Sequence, residues 1–208
     1  MDRNELANVS RRIGSLTLTA TAHREVIASV EDIFDLLEKD SDNLGDGYSF
    51  WYGWGPYFVT ARGKSLVVEA PDYDSFPLTG PIEDLTTPLR LIRKQAEFAR
   101  STGLQAVEID FQDTILTTPG VDDTADLLLT WVEDPEDTTL VRCVHRYSDE
   151  TRDLRTYESL PLWRGVQLIP SLGPALILQP GYTANLGTDG VTKLSDDESG
   201  EVVWRLHP

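Results

Sequence analysis

The chain predicts an α+β fold: a single domain, residues 1–208, with a largely antiparallel twisted sheet and two main helices at about 30–40 and 88–102. Three observations carry the prediction. Strand-like segments are numerous and mostly follow one another directly. Helical periodicity is confined to two stretches. No regular alternation of strand and helix is present to build a parallel sheet. The apolar fraction of 40%, with 5 Trp, 7 Tyr and 6 Phe among 208 residues, supplies a core for one large domain.

The elements follow in order. The segment up to about Gly14 is polar and reads as a short helix or a partly ordered arm. Leu16-Thr17-Leu18-Thr19-Ala20 alternates apolar and polar, as a strand does. Ser29 followed by Asp32 resembles a capping box, and Val30, Ile33, Phe34 and Leu37 then share one helical face. Tyr48–Tyr52 and Pro56–Ala61 are aromatic-rich strands divided by Gly53 and Gly55. Arg62-Gly63-Lys64 turns the chain into Ser65–Ala70, completing a hairpin. Pro71–Thr79 is a loop bearing Pro and Asp. Thr87 as cap and Pro88 at the first helical position open the second helix. Leu89, Ile92, Ala96 and Ala99 form its inner stripe, widened by Leu91 and Phe98, and Gly103 closes it in a left-handed conformation. Candidate strands beyond it are Ala106–Phe111, Ile115–Thr117, Leu127–Val132, Thr139–Tyr147, Gly165–Ile169, Ala175–Leu178 and Val202–Leu206. Pro119-Gly120 and Asp122-Asp123 mark a weak subdivision near 118–126.

Charge is the strongest functional signal. The chain holds 35 Asp+Glu against 18 Lys+Arg, a net charge of -17. Such an excess repels phosphate backbones and anionic membranes and attracts cationic partners. Nucleic acid and membrane are therefore excluded as expected partners. The positive charge is almost all arginine, a composition that high-GC coding or salt adaptation would each produce. A single cysteine, Cys143, precludes an internal disulfide and favours a reducing compartment. The N-terminal residues lack a basic segment followed by an apolar run, so they do not read as a secretory signal, and a cytoplasmic location is expected.

No Gly-rich phosphate loop or dinucleotide fingerprint is present, and no cofactor is expected. His23, His145 and His207 are widely separated. Cys143 and His145 form a C-x-H pair in a strand, but two ligands do not make a zinc site, and no metal is expected. No nucleophile elbow occurs. Glu108 and Asp110, placed on one face of the Ala106–Phe111 strand, are a candidate carboxylate pair for glycoside hydrolysis.

Acidic residues gather in loops. Asp72-Tyr73-Asp74-Ser75-Phe76 mixes carboxylates with aromatic rings, the composition of an interface loop facing a basic protein. Trp54, from the aromatic stretch, and Asp122, Asp123 and Asp126 are the other candidate partner-binding residues. Further clusters lie at Glu133/Asp134/Glu136/Asp137 and Asp196/Asp197/Glu198.

In its size, its acidity, its Tyr48–Phe58 aromatic stretch and its Leu91–Ala99 helix followed by Ala106–Phe111, the chain resembles the acidic single-domain immunity proteins of polymorphic and contact-dependent bacterial toxin systems. The resemblance implies a non-enzymatic antitoxin that occludes the basic active cleft of a cognate toxin. Two other readings stay open. One is a structural or adaptor domain whose acidity serves solubility. The other is a hydrolase using Glu108 and Asp110.

Overall fold

The N-terminal segment, expected as a short helix or an arm, is instead a strand. In the computed structural model, which describes residues 5–122, 126–133, 139–147, 153–188 and 190–206, β1 (Leu6–Ile13) pairs antiparallel with β2 (Leu16–His23). Gly14, at φ 59°, makes the tight turn between them. The alternation in β1 escaped notice because Arg11 occupies an inward position. Its guanidinium bonds Glu31 and Asp35 and lies 5.5 Å from the Phe34 ring centroid, so its stem covers apolar surface.

A short 3-10 turn, Arg24–Val26, leads directly into α1 (Ile27–Lys39). The helix therefore starts before the capping pattern at Ser29, which lies inside it. Val26, Val30, Ile33, Phe34 and Leu37 are all buried, and this continuous stripe extends the helix upstream of the polar signal. β3 (Ser49–Tyr52), β4 (Gly55–Arg62) and β5 (Ser65–Pro71) form the expected aromatic meander. A two-residue β6 (Pro81–Ile82) pairs with β5. The sheet order is β1-β2-β5-β4-β3, with β2 and β5 parallel and the other neighbours antiparallel. α1 and the start of α2 (Thr86–Thr102) pack into one core with this sheet, centred on Leu18, Ile33, Phe34, Tyr57, Val59, Val68 and Leu89.

α2 begins one residue earlier than Thr87. Asp84 supplies the cap, its carboxylate accepting from the Thr86 N–H at 3.0 Å. Pro88, Leu89, Leu91, Gln95 and Phe98 are buried, whereas Ala96 is exposed, so the inner stripe is rotated from the expected one. Gly103 ends the helix at φ 69°, its N–H bonding the Ala99 carbonyl at 2.9 Å.

The second sheet runs β10-β7-β9-β8-β11-β12-β13, built from β7 (Thr114–Thr117), β8 (Leu127–Glu133), β9 (Leu140–Arg146), β10 (Glu158–Pro161), β11 (Tyr182–Gly187), β12 (Gly190–Asp196) and β13 (Val202–Arg205). Only β7 and β9 pair in parallel here. Three expected strands are absent. Residues 106–110 have no regular structure and Phe111 lies in a turn. Gly165–Ile169 falls mostly within α3 (Leu162–Leu168), and Ala175–Leu178 mostly within a 3-10 helix, Pro170–Ile177. Short apolar runs do not distinguish a strand from a buried helical turn. Pro170 and Pro174, which flank these runs, lack the N–H that a ladder needs.

The chain is thus α+β, with mostly antiparallel pairing and two long helices, and its strands fall into two mixed sheets. Chain contacts divide it into two compact units, Met1–Arg93 and Lys94–Pro208, with the division inside α2. Residues 118–126 belong to the second.

Candidate functional site

The loop after β5 is a built turn. Asp72 accepts from the Asp74 N–H at 3.1 Å and from the Ser75 hydroxyl at 2.6 Å. Asp74 accepts from the Thr87 hydroxyl, at the start of α2, at 2.7 Å. Thr79 closes the far side, donating from its N–H and its hydroxyl to the Phe76 carbonyl. Both carboxylates therefore order the loop, which presents Phe76 at 47% exposure and Leu78 at 60%. From Ser65 to Leu89 the sequence carries five acids and neither lysine nor arginine.

Two residues expected at this surface lie beneath it. Tyr73 is 4% exposed and Trp54 is 1% exposed, and their rings pack at 5.0 Å between centroids. The turn at Gly53 folds Trp54 inward, and burial of the ring area outweighs presentation of a surface anchor. Trp54 and Tyr73 thus support the loop from within and offer no ring to a partner. Most of the aromatic stretch serves the same core. Phe50 stacks on Tyr57 at 5.4 Å, and Tyr52 meets Tyr57 edge-on at 5.9 Å. Burial pushes the Tyr57 hydroxyl well above the usual phenol range. Trp51 alone in this stretch stands half exposed, at 50%.

Sequence reasoning missed a second acidic surface. Residues 27–46 hold seven acids and one base, Lys39. Asp32, Asp35 and Glu38 lie on the exposed side of α1, opposite the buried stripe, and Leu36 stands among them at 39% exposure. Their helical spacing was the available signal, but it was read only for its apolar half. Arg11 neutralises part of this face through Glu31 and Asp35.

Many other aspartates act within the fold. Asp40 accepts from Tyr48 and Asn43, which holds its carboxyl below the usual range. Asp46 accepts from the Ala61 N–H at 2.7 Å, and Asp153 caps the short helix Leu154–Thr156. Asp196 takes the Ser199 N–H and hydroxyl, both at 2.8 Å, and these bonds lower its pKa.

In the second unit Asp122 and Asp126 are exposed, as is Glu133. Asp123, with Asp134, Glu136 and Asp137, lies outside the described residues. Glu108 is exposed on a segment without regular structure. Asp110 bonds the Gln112 N–H at 2.8 Å and so builds a turn. The two therefore do not stand together on one strand face. Cys143 is 1% exposed in β9, and burial pushes its thiol up to about 12, far from a reactive thiolate. Beside it, Arg142 is 5% exposed. Its Nε donates to the Leu176 carbonyl at 2.8 Å, and its guanidinium lies 4.5 Å from the Trp131 ring centroid. Desolvation lowers the Arg142 pKa to about 10, which leaves it charged at neutral pH and matches its pairing with a carbonyl and a ring face.

Among the described residues no group of three or more His, Cys, Asp or Glu side chains is arranged to hold a metal ion. None of the described helices is long and apolar enough to cross a membrane. No protein-family model, curated protein sequence or solved structure matches the chain.

Proposed function

We propose that the chain is a cytoplasmic immunity protein, a non-enzymatic antitoxin that binds a basic cognate toxin and occludes its active cleft. The observation that carries the reading is the Asp72–Leu78 loop. It is acidic, internally braced, and displays Phe76 and Leu78 to solvent. A preordered apolar pair on a loop with two carboxylates suits a cationic protein surface with an apolar pocket. The net charge speeds encounter, and burial of the two side chains slows release. The outer face of α1 adds to the attracting field.

A second reading, a structural or adaptor domain, draws on a different observation. Asp40, Asp46, Asp72, Asp84, Asp110, Asp153 and Asp196 each accept hydrogen bonds within the fold, so part of the acidity has an internal use.

One experiment separates the two. The product of the gene adjacent to this chain's own is expressed in a sensitive cell, with and without the chain. Rescue of growth by the wild type, lost with Phe76→Ala plus Leu78→Ala at an unchanged melting temperature, is the expected result. Rescue that survives the double substitution removes the loop from the interface. Absence of rescue by the wild type overturns the antitoxin reading.

A further inference from the structure

Among the described residues the outer strands are β1, β3 and the two-residue, proline-led β6 in one sheet, and β10 and β13 in the other. An outer strand offers unpaired N–H and C=O groups to any passing chain unless charge, proline or short length blunts it. β1 carries Arg11 and Arg12, β3 is four residues long, and β10 ends at Pro161. β13 is also four residues long and ends at Arg205, but it sets two exposed valines side by side, Val202 at 43% and Val203 at 48%. Leu206 follows at 58%. An open groove lined by Ser101, Val202, Val203, Trp204 and Arg205 runs along it.

The strand is held firmly from behind. Trp204 packs edge-on against Phe98 at 6.0 Å, and the Leu206 N–H bonds the Thr192 carbonyl at 3.0 Å. A bulge between β12 and β13 leaves Val203 opposite no residue of β12. The occupant of the outer side is written in the residues themselves. Glu201-Val202-Val203-Trp204-Arg205, laid antiparallel on a copy of itself, sets Val203 against Val203, Val202 against Trp204 and Glu201 against Arg205. Both charges are exposed, and the pairing satisfies them twice, once on each side of the axis.

We propose that β13 is a self-pairing edge through which two copies of this chain associate about a twofold axis, with Glu201 of each opposite Arg205 of the other. Backbone pairing and the covered valines hold the contact, and the ion pairs set its register. The net charge of -17 on each copy opposes association, so it strengthens as salt screens the repulsion. Binding to a basic toxin has the opposite salt dependence, which keeps the two contacts distinguishable.

Sedimentation equilibrium at moderate salt tests this. The expected result is a concentration-dependent dimer. Glu201→Arg and Arg205→Glu each replace two opposite-charge pairs with two like-charge pairs, and each weakens self-association by about tenfold or more. Mixing the two single variants restores dimers, because each supplies the charge the other lacks. If a reversal unfolds the chain by circular dichroism, Glu201→Gln and Arg205→Gln take its place, each with an expected weakening of about twofold. A monomer at all concentrations overturns the proposal. So does a dimer that withstands the substitutions, or a mixture of the two reversals that stays monomeric.

Discussion

At the β3–β4 turn, Gly53 holds φ +66° and lies against α2. A Cβ there would stand 2.4 Å from Ile92 Cδ1 and 2.5 Å from Cγ1. Gly53→Ala is expected to cost about 1–3 kcal/mol, from the left-handed backbone and the overlap together. The check is a lower urea midpoint at unchanged m-value. The same turn explains why single residues were hard to read in advance. Aromatic rings at 54 and 73 carry a polar handle and suit an interface as well as a core. Only the direction in which Gly53 sends the chain decides between the two. Aspartates raise a parallel difficulty. The sequence counts the charge at Asp72, Asp110 and Asp196 but does not reveal that each carboxylate accepts hydrogen bonds from its own turn, which depends on backbone geometry two or three residues away.

Helix α2 owes its start to Asp84, whose carboxylate takes the Thr86 N–H, while the Thr86 hydroxyl accepts from the His23 N–H at 2.8 Å. Asp84→Ala is expected to cost about 1 kcal/mol, read as a lower melting temperature with unchanged far-ultraviolet dichroism at room temperature. Elements with a long and regular period were legible: the apolar stripe of α1, the Gly103 stop of α2, and the β4–β5 hairpin at Gly63. Elements resting on tertiary context were not. β1 hid behind Arg11, an inward residue that is apolar only along its stem. Gly165–Ile169 and Ala175–Leu178 looked like strands because a short apolar run satisfies either geometry once buried. For the candidate site, Asp72, Asp74 and Phe76 were singled out from composition alone. The α1 face was overlooked because its acids are spread by helical spacing and do not form a run.

For the whole molecule, the excess of negative charge sets the response to solvent. Added salt is expected to raise the melting temperature by screening self-repulsion, measured by calorimetry from low to moderate ionic strength. Acid acts in two opposed ways. Glu25, Asp40 and Asp196 are held below the usual carboxylate range, by Arg90, by Tyr48 and by the Ser199 N–H respectively. A depressed folded pKa contributes stability that is present above the unfolded value of about 4 and lost as pH falls through the lower folded value. Meanwhile protonation of the exposed acids relieves repulsion. Stability is thus expected to hold or rise slightly from about pH 7 to 5 and to fall below about pH 4, checked by thermal melts across that range. One feature of the first sheet also bears on time. β1–β2 is a local hairpin and β3–β4–β5 a local meander, but they are stitched together by a parallel contact, Leu18 to Leu66 and Thr19 to Val67. That seam closes a long loop and is slow to form relative to either piece. As the chain is synthesised, the hairpin and α1 emerge first and wait with Leu18 and Ala20 uncovered on one side. The sheet becomes continuous only when β5 arrives to fill the gap.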